Sequence, residues 1–131
     1  MSPLQGFTLF DGMFTGLEGV LDLRRVQHTL TAGNLANAET PGYRAKEIPF
    51  EQLLGDVMDG SMRGERQDVD DMAASELREI EPLLWSLDGN SVSAEDEAMK
   101  LASNQLMYNA VSGGISKRLA MLRFAASDGK G

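Results

Sequence analysis

The sequence predicts a mainly α chain in which two long terminal helices pack as an antiparallel, coiled-coil-like pair, with an irregular acidic segment between them. Three observations carry this. Apolar residues recur at helical spacing near both ends. A Pro-Gly turn follows the first periodic stretch. The negative charge is concentrated in the middle. Of the 131 residues, 42% are hydrophobic and 24% charged, as in ordinary globular chains. Aromatics are sparse, with five Phe, two Tyr and one Trp, so any core is thin.

The first helix is expected over residues 10–35. Phe10, Phe14, Leu17 and Leu21 recur at intervals of four, three and four, and Met13, Val20, Leu23 and Leu30 occupy an adjoining face. The combined surface is broader than one partner helix covers. The helix must stop near Asn37, because Thr40 precedes Pro41 and a residue before proline is driven out of the α region. Pro41-Gly42 favours a tight turn, and Asn37 either caps the helix end or turns left-handed there.

The middle is less regular. Residues 43–54 read as extended and then briefly helical, with Pro49 arguing against a central strand position. From 55 to 82 the chain is rich in Asp, Glu, Gly and Met, which predicts a solvated excursion with a short helix near 72–80. Trp85 is expected to anchor an apolar island before a turn at Asp88-Gly89-Asn90.

The second long helix is expected over 94–126. Ser93 and Asp96 form a variant capping box, Glu95, Asp96 and Glu97 fill the first turn, and Lys117, Arg118 and Arg123 fall towards the end. Leu101, Tyr108, Ile115 and Leu122 recur every seven residues, and Met99, Leu106, Gly113 and Ala120 form a second such row. The organisation is therefore a discontinuous terminal helical unit, 1–42 with 88–131, joined by a connecting segment over 43–87. With thin cores, both terminal helices are expected to be largely unfolded in a free monomer.

Charge narrows the function. Net charge is −8: residues 1–50 hold four basic and five acidic side chains, 51–100 four and 14, and 101–131 four and one. Such a chain lacks the basic stripe of a nucleic-acid binder and is unsuited to anionic membrane surfaces. No apolar run is long enough to insert in a membrane, and no cleaved signal peptide is expected. The absence of cysteine excludes disulfides, thiolate metal sites and Cys nucleophiles.

No catalytic, cofactor or metal site is expected. His28 is the single histidine and lacks a partner set. Asp68, Asp70 and Glu79 have a calcium-loop flavour, but Met72 and Ala73 stand where a ligand and a glycine are needed. Glu95-Asp96-Glu97 reads as helix-start charge. A glycan hydrolase would need two carboxylates in one cleft, and these acids lie in a segment with little core.

The string Asn34-Leu35-Ala36-Asn37-Ala38-Glu39-Thr40-Pro41-Gly42-Tyr43 closely resembles the N-terminal signature A-N-x-x-T-P-G-Y of bacterial flagellar rod and hook proteins. Asp88-Gly89-Asn90 with Val92 resembles the family's second element, and the run through Leu101, Asn104 and Tyr108 also fits. The chain is thereby identified as resembling the basal-body rod family, and most nearly its short proximal-rod members. Ser93, Gly33 and Gly113-Gly114 depart from the common pattern.

The resemblance implies a structural subunit of the rod and no enzyme. Such subunits leave the cell through the flagellar export apparatus without a cleaved signal. Their terminal helices form a tube that crosses the periplasm, surrounds the export channel and transmits torque. The implied partners are further copies, other rod proteins, the base adaptor FliE and the export gate. The implied assembly faces are Phe14, Leu17 and Leu21 with Leu101, Tyr108, Ile115 and Leu122. A non-polymerising helical adaptor is the alternative.

Overall fold

The computed structural model describes residues 3–82, 87 and 89–128. Its elements are α1 (Pro3–Ala36), β1 (Lys46–Glu47), α2 (Phe50–Met62), α3 (Val69–Ser75), β2 (Arg78–Glu79) and α4 (Ala94–Asp128). The two long helices stand at the ends, as the periodicity predicts. They run antiparallel: Arg24 of α1 meets Asn104 of α4, and ten residues further along α1, Asn34 meets Glu97.

α1 ends as the sequence requires. The Asn37 side chain donates from Nδ2 to the Gly33 carbonyl at 2.9 Å, capping the C-terminal turn. Among the described residues no non-glycine has positive φ, so Asn37 caps and does not turn left-handed. The chain then reverses through Thr40-Pro41-Gly42-Tyr43. The Tyr43 N–H donates to the Thr40 carbonyl at 3.2 Å, and Gly42 takes φ +74° at the third turn position, where a Cβ would be strained.

The acidic middle corrects the sequence reading. Residues 55–82 were expected as a solvated excursion, yet they carry most of α2, all of α3 and β2. The core lies here, formed by Leu23, Ile48, Leu53, Val57, Val69 and Ala73, with Val26, Leu30, Phe50, Leu54 and Met72 packed round it. The negative charges are segregated on the outer side. Glu51, Asp56 and Asp59 of α2 are exposed, while Leu53, Val57, Gly60 and Ser61 are buried at intervals of four, three and one. The short helix falls at Val69–Ser75, earlier than the expected 72–80, because the Asp68 carboxylate caps it by accepting from the Asp71 N–H at 3.1 Å. Asp68 thus acts as a helix cap in the stretch that has a calcium-loop flavour. β1 and β2 form a two-residue antiparallel ladder, Lys46 opposite Glu79 and Glu47 opposite Arg78. Trp85 and Asp88 lie outside the described residues.

α2 can approach α1 closely because α1 presents glycines there. A Cβ on Gly12 would stand 2.9 Å from the Ser61 carbonyl oxygen, one on Gly16 2.7 Å from Ser61 Oγ, and one on Gly19 2.5 Å from Val57 Cγ1. Gly12 and Gly16 form a GxxxG pair, and they make a groove for α2. Gly16, Val20 and Leu23 continue that buried face of α1. Phe14, Leu17 and Leu21 lie about a third of a turn round the helix. They are half-buried on the side that carries Arg24 and α4. α1 is therefore held between α2 and α3 on one face and α4 on another, and α4 makes no contact with α2 or α3 among the described residues.

Candidate functional site

The structure brings the two signature elements into one joint, where the root of α4 meets the end of α1. Asn34 is 3% exposed. Its amide accepts from the Lys46 N–H at 2.9 Å and donates to the Lys46 carbonyl at 2.8 Å, so one side chain serves as a backbone partner for β1. Tyr43 Oη donates to Asn34 Oδ1 at 3.3 Å, which ties the chain beyond the turn back onto the helix.

Asn90 closes the joint from the other element. Its Nδ2 lies 3.2 Å from the Asn37 carbonyl, 2.8 Å from that of Ala38 and 2.8 Å from that of Thr40. An amide NH2 has two hydrogens, so three carbonyls share two donors. Oδ1 accepts from the Val92 N–H at 2.7 Å, fixing the approach to α4. The flanking Ser91 adds two bonds: its Oγ accepts from the Ala45 N–H at 2.7 Å, and its N–H donates to the Tyr43 carbonyl at 3.2 Å. Gly89, with φ +68°, stands over Gly42, and a Cβ on it would lie 3.7 Å from Gly42 Cα. These carbonyls belong to the end of α1 and the turn; those of Asn37 and Thr40 also accept from the Thr40 and Tyr43 N–H groups, at 3.0 and 3.2 Å, and Asn90 adds a second donor there.

α4 is then set on α1 by two buried polar residues. Ser93 Oγ accepts from the Asp96 N–H at 3.4 Å at the start of the helix. Glu97, 4% exposed, accepts from Lys100 Nζ at 2.9 Å and from Asn34 Nδ2 at 3.4 Å. Asn104, also 4% exposed, donates to the Arg24 carbonyl at 2.8 Å and accepts from Arg24 Nη1 at 3.3 Å. The Arg24 guanidinium lies 4.2 Å from the centre of the Phe50 ring, so one side chain touches both α2 and α4. Burial lowers its pKa and the Glu51 charge opposes that; the group stays cationic.

Sequence reasoning missed Arg24 as a pin and read Glu97 only as helix-start charge. Arg24 offered one signal, a cation within the apolar stretch of the first helix that needs a partner if buried, whereas Glu97 is hidden among the acids of the first turn of α4. Ala36, Thr40, Pro41 and Gly42 of the signature are exposed, so their part in the joint is carried by backbone. His28 lines a recess between α1 and α4 with Arg24, Arg25, Asn104 and Tyr108. Among the described residues no group of three His, Cys, Asp or Glu is placed to hold a metal, and no helix is long and apolar enough to cross a membrane.

The expected assembly faces divide. Leu101 and Ile115 are half-buried towards α1, Tyr108 is 36% exposed and Leu122 45%. Beyond Asn104 no side-chain hydrogen bond or ion pair joins α4 to α1 among the described residues, and most of the helix lies open.

Such a molecule is a helix-pair subunit, locked at the root of its two long helices and uncovered along the outer one. No protein-family model matches the chain. Curated relatives do. The chain is 33% identical to the flagellar basal body rod protein FlgB of Escherichia coli (strain K12) over 125 residues, covering 79% of this chain and 87% of that one. It is 32% identical to FlgB of Yersinia ruckeri over 111 residues, covering 75% and 81%. Against FlgB of Bacillus subtilis (strain 168) it is 27% identical over 129 residues, covering 94% and 99%. The chain belongs to the FlgB family of flagellar basal body rod proteins.

Proposed function

We propose that this chain is a structural subunit of the proximal rod of the bacterial flagellar basal body, associating through its terminal helices with further copies and with other rod proteins. The observation that carries the reading is the joint at Asn34, Tyr43 and Asn90, which fixes two long helices root to root. One of those helices remains apolar along a surface its own chain does not cover. A tube needs this combination: rigid angular placement at one end, and sticky length for neighbours to share.

The side chains named in the two signature elements act here as positioning groups. Asn34, Asn37 and Asn90 each hold backbone groups, Asn34 also donates to Glu97, and Tyr43 donates to Asn34. The rows Phe14, Leu17, Leu21 and Leu101, Tyr108, Ile115, Leu122 serve the pairing of α1 with α4 first, and neighbours where they remain open. The chain performs no reaction in this reading. Passage through the flagellar export apparatus, contact with the base adaptor FliE and the export gate, and enclosure of the channel extend the proposal to its surroundings.

Electron microscopy of basal bodies from cells lacking this chain tests the reading. Rings without a rod are expected, with rods restored when the chain is supplied. Complete rods and motile cells in its absence would overturn it.

A further inference from the structure

α4 is apolar on two opposite faces, and its own chain uses one. Leu101, Asn104 and Ile115 turn towards α1. Met99, Leu106, Met121 and Phe124 share the outward face and are 72%, 70%, 65% and 67% exposed. Lys117 falls in that outward stripe, four residues before Met121, with Arg118 beside it. Neither forms an ion pair among the described residues. The distal half of α4 therefore presents cations set among large apolar side chains.

The complementary surface is on the far side of the molecule. Asp56, Asp59, Asp68, Asp71 and Met72 line an open recess between α2 and α3 together with Gln67 and Arg63, whose charge is paired with Glu65, so the four aspartates dominate it. Met58 and Met62 of α2 stand exposed as well, and methionine adapts readily to an incoming surface. The two surfaces cannot meet within one chain, because α4 and the α2–α3 pair occupy separate faces of α1.

We propose that the outward face of α4 at Lys117, Met121 and Phe124, flanked by Arg118, seats in the acidic recess between α2 and α3 of a second copy of this chain. Charge complementarity selects this pairing. Residues 101–131 hold four basic and one acidic side chain, and residues 51–100 hold four and 14. Opposed patches of this kind steer docking and fix its register. Because donor face and acceptor recess differ, the contact is head-to-tail and does not close on itself, which leaves each added copy with a free recess. The inference rests on the rod-subunit reading and supplies it with a contact between copies.

The test reverses charge on each side of the full-length chain. Lys117→Glu with Arg118→Glu makes one variant, and Asp56→Lys with Asp59→Lys the other. Self-association is followed by sedimentation against concentration and salt, and folding by circular dichroism. The wild-type chain is expected to associate in a salt-sensitive way. Each variant should weaken association by about tenfold or more, and an equimolar mixture of the two should restore it. In cells lacking the chain, the two variants co-expressed should swim where each alone does not. A monomeric wild type, salt-independent association, or a mixture no better than its parts would overturn the proposal. An occupant other than a second copy would give that last result. Wild-type rescue of motility reports separately on the rod-subunit reading, so the two can fail independently.

Discussion

Replacing Asn90 with alanine tests the joint most directly. The side chain is 7% exposed and its amide serves the carbonyls of Asn37, Ala38 and Thr40 while accepting from the Val92 N–H. Two donors and one acceptor are lost. A net hydrogen bond is worth about 1 kcal/mol, and a buried group left without a partner costs about 1–3 kcal/mol. The Asn37 and Thr40 carbonyls keep the Thr40 and Tyr43 N–H donors, so the Ala38 carbonyl and the Val92 N–H bear the loss, which is expected to be about 2–4 kcal/mol. That is a large share of a small domain's stability, which is on the order of 5–15 kcal/mol. Asn90→Asp keeps the shape but turns an oxygen towards three carbonyls, so it should cost at least as much as alanine. Urea unfolding followed by circular dichroism measures both. A loss below about 0.5 kcal/mol for alanine, or an aspartate variant as stable as wild type, would refute the account of the joint.

Three further outcomes are expected. Gly12→Ala should destabilise by about 1–3 kcal/mol, because its Cβ meets the Ser61 carbonyl. Gly33→Ala, in the same helix with open space round it, should stabilise by about 0.5–1 kcal/mol; equal effects in thermal unfolding would count against close packing of α1 on α2. Arg24→Ala should cost about 1–3 kcal/mol and loosen α4 more than α2, seen as faster amide exchange around Asn104 than around Leu53. In a dilute wild-type monomer, amides of α1 from Val20 to Asn34 and of α2 should exchange slowly and those of α4 beyond Asn104 quickly. Uniform protection along α4 would show that its open half is stable without neighbours.

The two long helices were legible because their periodicity and punctuation agree: Pro41-Gly42 stops one, and Ser93 with three acids starts the other. The middle was not. In α2 the apolar positions Leu53, Leu54 and Val57 are interleaved with Glu51, Gly55, Asp56 and Asp59, and composition outweighed spacing. Its packing also depends on Gly12, Gly16 and Gly19, whose lack of side chains gives no hydrophobic signal in α1. That pairing makes the expectation of an unfolded first helix in the free monomer a weaker fit to α1 than to α4. The signature positions were named from resemblance, and their physics emerged only in three dimensions. Nothing local in Asn34 or Asn90 indicates that one will serve β1 and the other a helix end some fifty residues away. Arg24 and Glu97 escaped for the same reason, since each is explained by a partner distant in sequence.

Among the described residues, the polar ties of α4 to α1 all lie between its start and Asn104. From Asn104 to Asp128 the helix extends about 36 Å at 1.5 Å per residue. Apolar contact with α1 continues as far as Ile115, but the polar ties that fix the direction of the helix sit at its root. A tilt of roughly 5° at the joint would carry the tip about 3 Å sideways, close to the width of one atom-to-atom contact in a packed interface. Small errors among Asn34, Asn90, Glu97 and Asn104 would therefore be felt least where they arise and most at Met121 and Phe124. Substitutions at the root can leave a folded monomer whose tip no longer meets its neighbour, so assembly should fail well before folding does.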